Sequence, residues 1–143
     1  MMKAVLDTNV IISGAVKENG IPGQILRAFT DEDKFLSVTS SAILEEVGLV
    51  IRYEKIRKIH GWSEEKIMAF LTKLYNSSLL TYGKISVKVI KDDPNDDKFI
   101  SCAIEGKADY IVSGDIHLKK LGEFLGVKII SPRSFKEKLR VHS

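Results

Sequence analysis

An α/β fold with a largely parallel central sheet is the architecture this sequence predicts, and three observations predict it. Short apolar runs of strand length alternate with longer stretches carrying helical periodicity. Polar and acidic residues begin where the apolar runs stop, as they do along the carboxyl edge of a parallel sheet. The 143 residues suffice for one domain, read as 1–143, that buries about two-thirds of its unfolded surface around a single core. Right-handed crossovers between parallel strands then place helices on both faces of the sheet.

The elements follow in order. Ala4-Val5-Leu6 reads as a strand buried on both faces, with Asp7 at its end. Beyond Val10–Gly14, the stretch around Gly14 to Gly20 is expected as a surface loop. Ile21-Pro22-Gly23-Gln24-Ile25-Leu26 starts a helix with Pro22 in its first turn, ending before the acidic Asp31-Glu32-Asp33. Phe35–Thr39 is the second strand. Ser40 or Ser41 then caps a helix with Ile43, Leu44 and Val47 on its apolar face. Ser63 caps the next, where Glu64 and Glu65 suit the positive first turn and Ile67, Phe70, Leu71 and Leu74 repeat at helical spacing. Val87-Lys88-Val89-Ile90 is expected as a third strand. Asp93-Pro94-Asn95-Asp96 opens a helix through Phe99, Ile100 and Ala103 to a stop at Gly106. Tyr110–Val112 ends in Ser113-Gly114-Asp115, a short helix carries Ile116, Leu118 and Leu121, and Val127–Ile130 leads through Ser131-Pro132 into a last helix with Phe135 and Leu139.

Composition narrows the function. With 22 basic and 19 acidic residues the net charge is only +3, which disfavours a charge-driven nucleic-acid binder of the histone kind. Cys102 is the sole cysteine, so neither an internal disulfide nor a thiolate zinc knot is expected, and a reduced cytoplasm is the default location. Asp7, Thr8 and Asn9 interrupt the apolar start after three residues, which a secretion signal does not tolerate. No apolar run is long enough for a membrane span, so no membrane partner is expected.

The chemistry is expected in the acids. Asp7 and Asp115 each follow a strand, Asp96 and Asp97 open the helix that leads into the second of those strands, and Glu46 projects from the helix after Phe35–Thr39. Each alone is explained as well by capping or turn formation. Carboxylates gathered in one place repel one another unless a cation joins them. Oxygen donors without cysteine or a neighbouring histidine in the set favour magnesium or manganese over zinc. Such a site suits phosphodiester hydrolysis.

Asp7-Thr8-Asn9-Val10 after an apolar strand, Ser40–Glu46 in the form S-S-A-I-L-E-E, Asp93–Phe99 and Ser113-Gly114-Asp115, in that order and spacing, resemble a PIN-domain ribonuclease, closest to the stand-alone VapC-like toxin components. The resemblance spans residue 3 to about residue 135. It implies a three-layer α/β/α sandwich with a mainly parallel sheet of about five strands. It implies Asp7, Glu46, Asp96 and Asp115 as the catalytic acids, with Asp7, Asp96 and Asp115 holding Mg2+ or Mn2+. Asn9 and Ser113 would orient carboxylates or a bound water. Asp96 is preferred to Asp97 because its register sets Phe99 and Ala103 on the buried face. The implied activity is metal-dependent endoribonucleolytic cleavage of RNA through an activated water, by a homodimer inhibited by an antitoxin protein. A non-catalytic RNA-binding or RNA-processing assembly module on the same scaffold is the alternative, and it predicts lost acids.

Basic residues available to a polyanion fall into three groups: Arg52, Lys55, Arg57, Lys58 and His60; Lys119 and Lys120; and Arg133, Lys136, Lys138 and Arg140. Of the histidines, only His117 lies near the acids in sequence, and a solvent-facing helix position is its expected place.

Overall fold

A computed structural model describes residues 1–89 and 94–142. Strand β1 (Lys3–Leu6) lies in the middle of a six-stranded sheet. Its Ala4, Val5 and Leu6 are buried, as expected of an apolar run flanked on both sides. Helices α1 (Thr8–Val16) and α2 (Ile21–Thr30) follow, then β2 (Leu36–Ser40), α3 (Ser41–Val50), α4 (Glu54–His60) and α5 (Glu64–Ser77). Strand β3 (Ser78–Thr81), a 3-10 turn at Pro94–Asp96, α6 (Asp97–Glu105), β4 (Tyr110–Val112) and α7 (Ile116–Leu121) come next. The chain closes with β5 (Glu123–Phe124), β6 (Val127–Ile130) and α8 (Pro132–His142).

The strand order is β3-β2-β1-β4-β6-β5. All neighbours are parallel except β5, which returns antiparallel to β6. The fold is thus the predicted α/β/α sandwich, with one short antiparallel strand beyond the five parallel ones. Strand order runs outward from β1 through β2 to β3, then reverses to β4 on its other side. That reversal opens a crevice between the carboxyl ends of β1 and β4, where ligands of open α/β sheets bind.

Packing explains the frame. Phe35 sits between Phe29 and Phe135, with ring centroids 5.5 and 4.8 Å away in edge-to-face contact, which pins α2 and α8 together beside the sheet. Helix α6 packs on β1, β2 and β4 through buried Phe99, Ile100 and Ala103. Gly106 ends that helix, as predicted, without a left-handed conformation. Its φ is −83°, and a Cβ there would meet Val38 Cγ1 at 2.4 Å, so close approach to β2 demands the glycine.

Four local expectations change. Helix α1 runs on to Val16, so the loop after it shrinks to Lys17–Gly20. The basic connection after α3 folds as α4, begun at Tyr53 and ended by Gly61 at φ 64°. The third strand is Ser78–Thr81, because the α5 cap leads straight into pairing with β2. Val87–Val89 forms no strand and does not join the sheet; Ile90 and Asp93 lie outside the described residues.

The residues before Ile90 are held by a helix instead. Glu105 accepts from the N–H groups of Tyr82, Lys84 and Ile85 at 2.7, 2.7 and 3.1 Å. Ser101 Oγ accepts from Val87 N–H and Asp97 Oδ1 from Val89 N–H, each at 3.0 Å. Asp97, Ser101 and Glu105 recur every fourth residue, so one face of α6 replaces a partner strand along this strap.

Candidate active site

The carboxyl ends of β1 and β4 adjoin through the hydrogen bond from Asp7 N–H to the carbonyl of Val112, 3.1 Å long. Asp7 caps α1, its Oδ1 accepting from Val10 N–H at 2.8 Å. Its Oδ2 accepts from the Ser113 hydroxyl, whose oxygen in turn accepts from Asp115 N–H at 2.9 Å. Ser113 therefore couples the two strand-end acids and is itself fully buried. Asp115 caps α7 through Oδ1, which accepts from the N–H groups of His117 and Leu118 at 2.8 and 3.2 Å. Capping and chemistry are compatible at both residues. One oxygen locks the rotamer, and in Asp115 the other is engaged by no described residue.

Asp96 enters from the third direction. It stands at the junction of the 3-10 turn and α6, is 92% buried, and does not cap its own helix. Asp97, the less favoured neighbour, accepts from Val89 N–H of the strap through Oδ1. Glu46 completes the ring from α3, its Oε1 accepting from the buried Thr8 hydroxyl. Glu46 Oε2 accepts from Asn95 Nδ2 and from Lys98 Nζ, both at 2.8 Å. Lys98 also donates to the carbonyl of Asn95 at 2.9 Å.

Asp7, Glu46, Asp96 and Asp115 thus line one cleft of about 180 Å³, with Thr8, Asn9, Asn95, Val50 and Phe99. Asn9 is exposed at its mouth and makes no side-chain hydrogen bond to these carboxylates among the described residues, unlike Ser113. One ligand atom each from Asp96, Asp115 and His117 lie within 4.8 Å of one another, and Asp7 and Glu46 line the same cleft as the first two.

Electrostatics separates the acids. Burial pushes the Asp7 carboxyl above its ordinary value, and the charges of Asp115 and Glu46 push it the same way. Hydrogen bonds from Ser113 and Val10 only partly oppose them. Burial also raises Glu46, but the hydrogen bonds from Lys98, Thr8 and Asn95 and the Lys98 charge overcome it, leaving Glu46 below its usual range.

A family model described as PIN domain matches residues 3–117 of the chain. The chain belongs to the PIN domain family. Among curated proteins, a relative in Methanocaldococcus jannaschii, named uncharacterized protein MJ1680, is 36% identical over 144 residues, which is 95% of this chain and 90% of that protein. Among solved structures, VapBC2 from Rickettsia felis bound to a DNA fragment from its promoter matches with a TM-score of 0.57. That alignment covers 91% of this chain and 98% of the matched chain at 16% identity, a likeness of fold.

Three residues of the PIN cleft escaped the sequence reading: Thr8, Asn95 and Lys98. Each adjoins a predicted acid in sequence, but only tertiary folding aims them at Glu46. The basic groups fare differently. Arg52 and Arg57 converge on Glu64, at 2.6 and 3.1 Å, and Lys58 pairs with Glu54, so much of the first group is neutralised within the chain. The largest concavity among the described residues, about 690 Å³ between α3 and α5, is lined by Leu44, Leu49, Met68, Leu71 and Tyr75. Ser41, Arg52 and Thr72 also line it, whereas the four predicted acids meet in the smaller cleft. No helix among the described residues is long and apolar enough to cross a membrane.

Proposed function

We propose that this chain is a divalent-cation-dependent endoribonuclease and the toxin of a toxin–antitoxin pair. The convergence of Asp7, Glu46, Asp96 and Asp115 in one cleft at the sheet's switch point carries the reading. The donor set fits Mg2+ or Mn2+: carboxylate oxygens predominate, and the raised Asp7 is a group whose ionisation a cation would favour. Asp7, Asp96 and Asp115 would hold the ion. A divalent cation bound there supplies a Lewis acid that acidifies water and offsets charge on phosphate oxygens.

The chain's own groups set the geometry. Ser113 fixes Asp7 and the Asp115 backbone together, and the α7 cap fixes the Asp115 rotamer. Thr8, Asn95 and Lys98 hold Glu46 ionised on the facing wall, where its carboxylate can orient an attacking water or complete the ion's ligands. Lys98 brings a positive charge to a cleft otherwise lined by acids, suited to a phosphate oxygen. Asn9 at the mouth is placed to meet the substrate. The fold it shares with the VapBC2 structure supports an antitoxin partner, and homodimerisation and a cytoplasmic location accompany that reading.

Cleavage of labelled single-stranded and structured RNA with Mn2+, with and without EDTA, tests it. Cleavage should require the ion and vanish in Asp7→Asn and Asp96→Asn. Cleavage that survives chelation defeats cation dependence, and RNA binding without cleavage at any ion concentration favours the assembly-module alternative.

A further inference from the structure

His117 is a group at the cleft's edge to which the roles above give no part. It is the second residue of α7, and its backbone N–H donates to Asp115 Oδ1, which ties its place to that carboxylate. Contrary to the solvent-facing position expected from sequence, its ring points its Nδ1 inward. The side chain is 38% exposed, yet Nδ1 is shielded from solvent and has no hydrogen-bond partner among the described residues. Nδ1 stands 3.6 Å from Asp115 Oδ1, beyond hydrogen-bond length. His117 also forms a trio with Asp96 and Asp115, one ligand atom from each lying within 4.8 Å of the others.

A shielded ring nitrogen without a partner carries an uncompensated desolvation cost, and such atoms call for an ion or water to meet them. A neutral imidazole has one lone pair to give, and two carboxylates beside it define a site with mixed nitrogen and oxygen donors. We propose that His117 Nδ1 ligates the divalent cation together with Asp96 and Asp115, and that this nitrogen makes the site favour transition ions such as manganese and cobalt over magnesium. Imidazole suits transition ions, whereas magnesium takes oxygen and keeps much of its water. The inference rests on the cation site proposed above and specifies its ligands and its selectivity.

Calorimetric titration of the whole chain with Mn2+, Co2+ and Mg2+ tests it without reference to RNA. His117→Ala should weaken Mn2+ and Co2+ binding by at least about tenfold, as even loss of a group that merely supports a ligand does. Its Mg2+ affinity should change by less than about threefold, since magnesium gains little from the nitrogen. His117→Asp, which restores an oxygen, should bind Mn2+ again while narrowing its margin over Mg2+. In the Co2+-loaded wild type the His117 ring protons should show large paramagnetic shifts that His117→Ala lacks. Melting in EDTA checks that the variants are folded. If Asp96→Asn abolishes binding while His117→Ala binds all three ions as the wild type does, the cation site stands and the histidine assignment falls. If the wild type binds none of the three, both fall.

Discussion

At Asp7, folding and chemistry make opposite demands on one carboxyl group. As a helix cap it needs an acceptor oxygen, which an amide supplies as well as a carboxylate. As a buried acid facing Asp115 and Glu46, it resists ionisation, so its folded pKa lies above the ordinary 3.8. The folded chain then holds a proton that the unfolded chain releases. Without metal, stability should fall as pH rises from about the ordinary carboxylate value through the raised folded one, and stay lower above it. Asp7→Asn keeps the cap and lacks this loss. Its melting temperature in EDTA at neutral pH should equal or exceed that of the wild type, while RNA cleavage disappears. Lys98 presents the opposite case. It and its neighbours hold Glu46 below its ordinary 4.5, so their contribution is present above that value and lost as pH falls through the lower folded one. Lys98→Met should cost about 1–2 kcal/mol at neutral pH, the scale of a charged hydrogen bond in a partly screened site. Lys98→Arg should recover part of it; urea denaturation measures both.

The strap along α6 shows how an element can be held without a sheet. Three side chains of one helix face take up the N–H groups of Tyr82, Lys84, Ile85, Val87 and Val89. Glu105 makes three of those bonds, and they draw its carboxyl below the ordinary 4.5. Its grip is therefore full above that value and released as pH falls through the lower folded one. Glu105→Ala should speed hydrogen exchange at Tyr82, Lys84 and Ile85 and leave the amides of β1 and β4 unchanged. This is also where local pattern misled. Val87-Lys88-Val89 alternates as a strand does, but only the folded arrangement reveals that its donors face helix side chains. Gly106 was legible as a helix end, and its cause was not, because the approach of Val38 is a contact between distant segments. Gly106→Ala should destabilise the chain by about 1–3 kcal/mol through overpacking, seen as a lower denaturation midpoint at unchanged slope.

Across the whole molecule, legibility followed distance along the chain. The sandwich and its parallel order were readable because strand and helix periods are local. Asp7 and Asp115 were readable because strand ends are where such sheets place ligands. The register that favours Asp96 over Asp97 was legible to the extent that Phe99 and Ala103 are buried as it requires. The partners of Glu46 and the inward nitrogen of His117 were not, because each depends on how α3, α6 and α7 meet around the crevice.

That crevice joins segments far apart in the chain. The hydroxyl that orients Asp7 arrives 106 residues later, on a strand that must slot in beside the first before the pocket exists. A nascent chain that has not yet supplied Ser113 carries one wall of the cleft and not the other, so the pocket cannot close until β4 has been made.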